Sequence, residues 1–253
     1  MPKLWIMSDL HLEAVPRPEV YRPRCAGFDV LIVAGDMQHG SARAIATVAR
    51  LAGSKPAVFV LGNHEPWHRE LSAEQAVARR VAARHGVTLL DDGEATLAGV
   101  RFVGGTLWAD GRLGGQDATP DQLTGELVHV AGDGGGTRLI TSGDQAALHA
   151  RTRGVIEAAL AGPRDGRPVV VVTHHAPHLL CVPAAYRQHW VAGNSASDLS
   201  YLTDTGRVAL WVHGHLHETV DLVRPGGTRI LCNPAGPRFS NAAFKDDLVV
   251  EVC

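Results

Sequence analysis

Side chains that can bind a metal ion follow five short apolar runs of this sequence. The runs are LWIM (4–7), VLIVA (30–34), VFVL (58–61), VVVVT (169–173) and ALWV (209–212). The side chains that follow them are, in chain order, Asp9 and His11, Asp36, Asn63 and His64, His174, and His215 with His217. One histidine after a strand carries little information, but metal-binding residue types after all five apolar runs are unlikely to occur together by chance. We interpret them as parts of one site.

The residue types narrow the chemistry of that site. Imidazole, carboxylate and amide oxygen ligands without a thiolate suit Mn, Fe or Zn, and also Co or Ni, rather than a structural cysteine-rich zinc site. The candidate ligands outnumber the four positions of one tetrahedral site. They suit two transition-metal ions, divalent or trivalent, that share a carboxylate. The candidates are Asp9, His11, Asp36, Asn63, His174, His215 and His217. Two metal ions that lie roughly 3.5–4 Å apart can generate a hydroxide that attacks phosphorus in line. An imidazole titrating near neutrality can add acid catalysis.

The elements between the motifs predict a layered α/β fold. The five runs lack alternation, which is typical of strands buried on both faces. Helical patterns cover 41–53, 72–86 and 142–162, and the last two begin with the capping-box pairs Ser72/Gln75 and Ser142/Gln145. Alternation of strands and helices favours a sheet covered by helices, and the ends of such strands are where ligands bind.

The rest of the chain predicts further strands and one irregular segment. Residues 95–108 indicate a hairpin that turns near Ala98 and Gly99, and the segments GTRILCN and DLVVEV indicate two strands near the end. Residues 110–141, which contain GDGGG, predict a long loop or small insertion. We predict a single domain over 1–253.

The order of the motifs gives a specific resemblance. The blocks DxH, GD, GNHE, THHAP and GHxH lie between residues 9 and 217, with NPAG at 233–236. Together they resemble the calcineurin-like metallophosphoesterase superfamily. The resemblance implies a four-layer α/β/β/α sandwich of two mixed sheets flanked by helices, with a dinuclear site at the strand ends. It implies a phosphoesterase that acts on phosphomono- or phosphodiesters through a metal-bridging hydroxide.

The resemblance also implies a role for each motif residue. The first ion would be held by Asp9, His11 and His217, and the second by Asn63, His174 and His215. Asp36 would bridge the two ions and take part in catalysis, and His64 would assist the leaving group.

Four other residues are candidates for substrate binding or for support of the ligands. His175 follows His174 and points to the other side of an extended chain. His213 lies one step down the strand from His215, where we expect a supporting rather than a ligating histidine. His39 follows the second motif, and Arg238 in NPAGPRF has the guanidinium that suits a phosphate.

Composition limits the partners. The net charge is −2 without a basic stripe, which argues against extended nucleic acid and favours a small phosphate ester. No apolar run reaches the roughly 20 residues of a membrane span, and four scattered cysteines without a CxxC pair predict a reduced, cytoplasmic protein. Nothing in the sequence indicates an oligomeric state.

Several alternatives stay open on the sequence alone. The same motifs are compatible with a nuclease or a cyclic-nucleotide phosphodiesterase, or with a binding scaffold that has the fold without catalysis. Cys181 and Arg187 form a C-x5-R pair, the spacing of cysteine-dependent phosphatases. The residues between them include a proline and no glycine, which does not suit a loop of backbone amides around a phosphate.

Overall fold

All five predicted strands form, and they divide between two sheets. The computed structural model describes residues 1–23, 25, 27–113, 126–132 and 134–253. The first sheet has the order β13-β1-β2-β3-β4, built from β1 (Lys3–Met7), β2 (Val30–Ala34), β3 (Ala57–Val60), β4 (Val87–Leu89) and β13 (Val249–Glu251). Its strands are parallel except β13, which pairs antiparallel with β1. The sheet is therefore mixed, and β1, β2 and β3 end at one edge.

The second sheet is also mixed. It has the order β11-β12-β10-β9-β6-β5 and consists of β5 (Gly93–Leu97), β6 (Val100–Gly105), β9 (Val169–Thr173), β10 (Leu210–His213), β11 (Val220–Val223) and β12 (Arg229–Cys232). The central strands β6, β9, β10 and β12 are parallel, and each outer strand is antiparallel to its neighbour. The predicted hairpin is confirmed as β5 and β6, with Ala98 and Gly99 both at positive φ in its turn.

The two sheets pack against each other, and helices cover their outer faces. The longer helices are α1 (Ser41–Ala52), α2 (Leu71–His85) and α3 (Ser142–Ala161), followed by the short helices α4 (Val191–Ser195) and α5 (Ser200–Thr203). Leu4 and Ile6 of β1 point into the core between the sheets, whereas Trp5 and Met7 point towards α1 and α2. On the other side Trp211 packs with residues of α3. This arrangement confirms the predicted four-layer α/β/β/α sandwich.

The helix starts differ from the predicted capping boxes. The cap of α2 is Glu70, whose carboxylate accepts hydrogen bonds from the backbone N–H groups of Ser72 (3.1 Å) and Ala73 (2.6 Å). The cap of α3 is Thr141, which forms a capping box with Asp144. Both serine predictions were wrong by one or two residues, because the preceding side chain already reaches the first free N–H groups.

The predicted insertion at 110–141 contains two short strands. These are β7 (His129–Ala131) and β8 (Thr137–Leu139), which pair antiparallel as a sheet of their own. Residues 114–125 and 133 of the insertion lie outside the described residues. The assignment of 1–253 to one domain stays a prediction.

None of the helices in the described part of the chain combines the length and the apolarity that crossing a membrane requires.

We predict that Gly154→Ala stabilises the fold. Gly154 lies on the exposed side of α3, and a Cβ added there would meet nothing within 4 Å. Alanine loses less conformational freedom than glycine on entering a helix, so the free energy of unfolding should rise by about 0.5–1 kcal/mol. Denaturant titration of both proteins measures this difference, and a decrease for the alanine variant would contradict the account.

Candidate metal centre

The carboxyl ends of strands from both sheets meet at one place. The described residues that could hold a metal ion there form two adjoining groups that share Asp36, with the donor atoms of each group within 4.8 Å of one another: Asp9, His11, Asp36 and His217, and then Asp36, His174 and His215. A third such group beside them consists of His11, Glu13 and His64. Strands β1, β2 and β3 of the first sheet and β9 and β10 of the second sheet carry these residues just past their ends. The structure thus brings together residues more than 200 positions apart in the chain.

The first group is built around two imidazoles that face each other. The Nε2 atoms of His11 and His217 lie 2.9 Å apart. His11 Nε2 is 3.6 Å from Asp36 Oδ2, and His217 Nε2 is 3.7 Å from Asp9 Oδ1. Asp9, His11 and Asp36 are buried, so these polar atoms have one another rather than bulk water as neighbours.

The second group contains Asn63 as well. Its Oδ1 lies 2.8 Å from His174 Nε2 and 3.2 Å from His215 Nδ1. His174 Nε2 is also 3.4 Å from Asp36 Oδ2, the atom that faces His11 in the first group. One carboxylate oxygen is therefore common to both groups, which is the geometry that a shared ligand requires.

The donor atoms fit a pair of transition-metal ions. With metal–ligand bonds of about 2.1 Å, ligand atoms at right angles around an ion lie about 3 Å apart, close to the separations just given. The donors are imidazole nitrogens, carboxylates and one amide oxygen, with no thiolate among them. Such a set suits Mn, Fe or Zn.

Five of the seven predicted ligands have an unusual backbone conformation. Positive φ angles occur at Asp9 (51°), His11 (44°), Asp36 (53°), His215 (71°) and His217 (50°). A residue other than glycine held in a sparsely populated backbone region costs on the order of 1–3 kcal/mol, and such residues cluster at functional sites. The sharp reversals after the strands aim these side chains back into the centre.

Glu65 holds the loops after β2 and β3 together. Its buried carboxylate accepts hydrogen bonds from the backbone N–H groups of Gly62 (2.6 Å), Met37 (2.8 Å) and Asp36 (3.1 Å). Burial and the nearby Asp36 carboxylate raise the pKa of Glu65 to about 7. This residue positions both Asp36 and the loop that carries Asn63.

The charges of the centre are paired within it. Burial alone would raise the pKa of Asp36, but the facing imidazole of His174 holds it well below its usual range. Burial opposes the charge of His174, yet Asp36 raises the pKa of that imidazole to about 10. A metal ion held by His174 would displace this proton, because only the neutral imidazole is a ligand.

His64 lies beside this centre and is held from several sides. Its backbone N–H donates to Asp36 Oδ1 (2.8 Å), and its ring stacks on Trp67 with centroids 4.4 Å apart. Its Nδ1 lies 3.4 Å from Glu13 Oε1 and 3.3 Å from His39 Nε2. Burial would lower the pKa of His64, but the contact with Glu13 and the charge of Asp36 raise it to about 9.

Sequence reasoning missed three carboxylates and one aromatic ring. Glu13 lies 2.9 Å from His11 Nδ1, and Glu126 accepts a hydrogen bond from Asn63 Nδ2 (2.8 Å), which leaves the amide oxygen facing the centre. Trp67 and Glu65 are the others. Glu65 is the last residue of the GNHE block and Glu13 lies two residues after the DxH block, so an acidic residue in or beside each block was the available signal. No local pattern marks Glu126.

The four secondary candidates occupy different surroundings. His175 is buried, and its ring lies 4.2 Å from that of His215 and 5.5 Å from that of Trp108. His213 is buried in β10, with Nδ1 2.9 Å from the Gly214 carbonyl oxygen. His39 is partly exposed beside His64, and Arg238 is exposed with φ at 56°.

The C-x5-R pair does not form a phosphate-binding loop. Cys181 is buried, and burial raises the pKa of its thiol to about 12. Arg187 donates instead to the carbonyl oxygens of Val182 (2.8 Å) and Leu180 (3.1 Å). A neutral thiol beside an engaged guanidinium lacks the thiolate that this mechanism needs.

Comparison with known proteins agrees with this fold. Residues 2–219 match the model of the family described as calcineurin-like phosphoesterase. The fold is similar to that of a phosphopantetheinyl hydrolase from Mycobacterium tuberculosis, with a TM-score of 0.70 and 20% identity over 94% of this chain and 91% of that one. It is also similar to a dimetal phosphatase from Danio rerio, with a TM-score of 0.50 and 14% identity over 91% and 86% of the chains. No curated protein matches the sequence.

We predict that Gly62→Ala weakens metal binding at this centre. A Cβ at Gly62 would overlap Oδ1 of Asp36 and come within 2.8 Å of its Cγ, so the carboxylate shared by both groups must move. Mn²⁺ titration followed by calorimetry should show lost or much weaker binding. Gly154→Ala is the matched control and should bind as the parent does. Unchanged binding by the Gly62 variant would contradict the placement of Asp36.

Proposed function

The chain belongs to the calcineurin-like phosphoesterase family, and on that premise we propose that it hydrolyses a small phosphomono- or phosphodiester with two metal ions. The family and the fold support a metal-dependent phosphoester hydrolase. The observation that carries the proposal is the convergence of six donor side chains around the single carboxylate of Asp36.

The proposed ligand sets follow the two groups of donor atoms. Asp9, His11 and His217 hold one ion, and Asn63, His174 and His215 hold the other. Asp36 is shared, because its Oδ2 lies within 3.6 Å of His11 Nε2 and 3.4 Å of His174 Nε2. We propose Mn, Fe or Zn as the ions, as the oxygen and nitrogen donors favour.

The ions and the side chains beside them have different roles in the proposed hydrolysis. Bound ions supply positive charge that offsets the phosphate and makes a water molecule a better nucleophile at neutral pH. His64 assists the leaving group from the side. Because its Nδ1 faces Glu13 and His39, Nε2 is the ring atom that can donate a proton to the departing oxygen. Trp67 and Glu13 keep the ring in that orientation.

The intact centre favours an enzyme over a binding scaffold of the same fold. A scaffold needs neither the ligands nor His64, and here all of them are present and adjacent. Among enzymes, the net charge of −2 favours a small ester over extended nucleic acid. A cytoplasmic location stays a prediction from the scattered cysteines.

We predict that His64→Ala separates catalysis from metal binding. The purified protein should contain roughly two metal ions per chain by elemental analysis. His64→Ala should keep them and lose about 10²–10⁴-fold in kcat on phenyl phosphate, whose phenolic oxygen needs a proton to leave, the usual contribution of acid catalysis. Asp36→Asn should lose both metal and activity. A His64 variant as active as the parent would remove this residue from the proposed mechanism.

Removal of the Cys181 thiol should not affect hydrolysis. The thiol is buried and neutral, so Cys181→Ala should keep the kcat/KM of the parent on the same substrate. Loss of the small buried sulfur can lower thermal stability, which a melting curve records separately. A large loss of turnover in a folded variant would restore the cysteine mechanism as an alternative.

A further inference from the structure

A cavity of about 510 Å³ opens directly beside the metal centre. It lies between the segment 12–19 and the outer surface of α1. Two of its lining residues, Glu13 and His39, are the same two that contact His64 Nδ1, at 3.4 Å and 3.3 Å. The cavity therefore begins on the side of the centre where His64 lies.

We propose that this cavity binds the leaving alcohol of the substrate and selects an alcohol that carries an anionic group. The inference rests on the proposed function, in which His64 serves the departing oxygen. The departing oxygen lies at His64 Nε2, and Glu13 and His39, which contact Nδ1 at the other edge of the ring, line the cavity. The part of the alcohol that extends past the ring from that oxygen is therefore the part that the cavity takes up.

The inner wall suits a carbon skeleton. Leu12, Val15 and Pro18 line this side of the cavity. Leu12 is buried, and Val15 packs against the core formed by β1, β2 and α1. Because these side chains pack against the core, they form a preformed apolar surface for the carbon skeleton of the alcohol.

The opposite wall is a polar face of α1. Arg43, Thr47 and Arg50 follow the spacing i, i+4 and i+7, which places them on one side of the helix. Gln38 Nε2 donates to Thr47 Oγ1 (3.3 Å), and Arg50 Nη1 donates to the Tyr21 carbonyl oxygen (2.8 Å). Arg43 is exposed and makes no ion pair within the described residues.

The charge of the lining favours an anion. Of the two lining carboxylates, Glu13 already faces the imidazoles of His11 and His64. Glu19 is the other, and the lining also carries two guanidinium groups, those of Arg43 and Arg50. A guanidinium binds either a carboxylate or a second phosphoryl group, so the shared chemistry of the ligand is an oxyanion.

Four aryl phosphates with the same phenolic leaving oxygen test the proposal. They are phenyl phosphate and its 4-carboxymethyl, 4-phosphonomethyl and 4-(2-aminoethyl) derivatives, each assayed with the Mn²⁺-loaded protein. The parent should show a kcat/KM roughly two- to fivefold higher for an anionic derivative than for the cationic one, the scale of a partly exposed ion pair. Comparison of the carboxylate with the phosphonate identifies which oxyanion is preferred.

Charge reversal locates the effect on α1. Arg43→Glu should abolish or invert the ratio between anionic and cationic substrates, and Arg43→Lys should largely keep it. Arg80→Glu, an exposed position on α2 outside the cavity, is the matched control and should keep the parent ratio. Metal content and circular dichroism of every variant report that the centre and fold are intact.

The failure of this inference differs from the failure of the proposed function. If the parent hydrolyses the substrates without regard to charge, or if Arg43→Glu keeps the parent ratio, the anion subsite is wrong and hydrolysis stands. An equal change in Arg80→Glu also overturns the subsite, because the effect is then one of overall charge. If the metal-loaded parent hydrolyses none of the four esters but cleaves bis(4-nitrophenyl) phosphate, the anion subsite is wrong and the diesterase form of the proposed function stands. If it cleaves none of these five compounds, both proposals are wrong.

Discussion

The buried carboxylate of Asp36 is the constraint around which this structure is arranged. A carboxylate removed from water is stable only when charges or hydrogen bonds surround it. Here the His64 N–H donates to one oxygen, and the imidazoles of His11 and His174 lie within 3.6 Å of the other. These partners come from both sheets, so the electrostatic needs of one side chain join the two halves of the sandwich at their strand ends.

The core between the sheets makes that convergence possible. Apolar residues of β1, β2 and β3 pack face to face with those of β6, β9 and β10, which fixes where each strand ends. Close packing resists deformation, so the sheets can hold residues such as Asp9 and His215 at positive φ. Glu65 adds a local clamp by accepting three backbone N–H groups from the loops after β2 and β3.

The proposed metal ligands and the proposed leaving-group subsite occupy different parts of the molecule. The candidate ligands follow strands of both sheets. Glu13, His39 and Trp67 contact His64 and follow strands of the first sheet, and Glu13 and His39 also line the cavity that continues along the polar face of α1. An exposed helix face can vary without disturbing the ligands. In the proposed function, this separation means that family members can share the same metal-dependent hydrolysis and still differ in the leaving group that they accept.

The sequence by itself determined the central strands, because buried strands leave continuous apolar runs, and it supplied the candidate donors, because polar residues follow those runs where ligands bind. The four-layer fold and the grouping of the donors around Asp36 were implied by the resemblance of the motif order to a known superfamily. The tertiary structure decided the distances within those groups, such as the 3.4 Å between Asp36 Oδ2 and His174 Nε2. It also decided that Glu126 holds the Asn63 amide, and that Glu70 and Thr141 cap helices predicted to begin with serines. The pairs Asn63–Glu126 and Glu13–His64 join residues about 50 or more positions apart. Such contacts follow from the packing of whole sheets, and no local spacing records them.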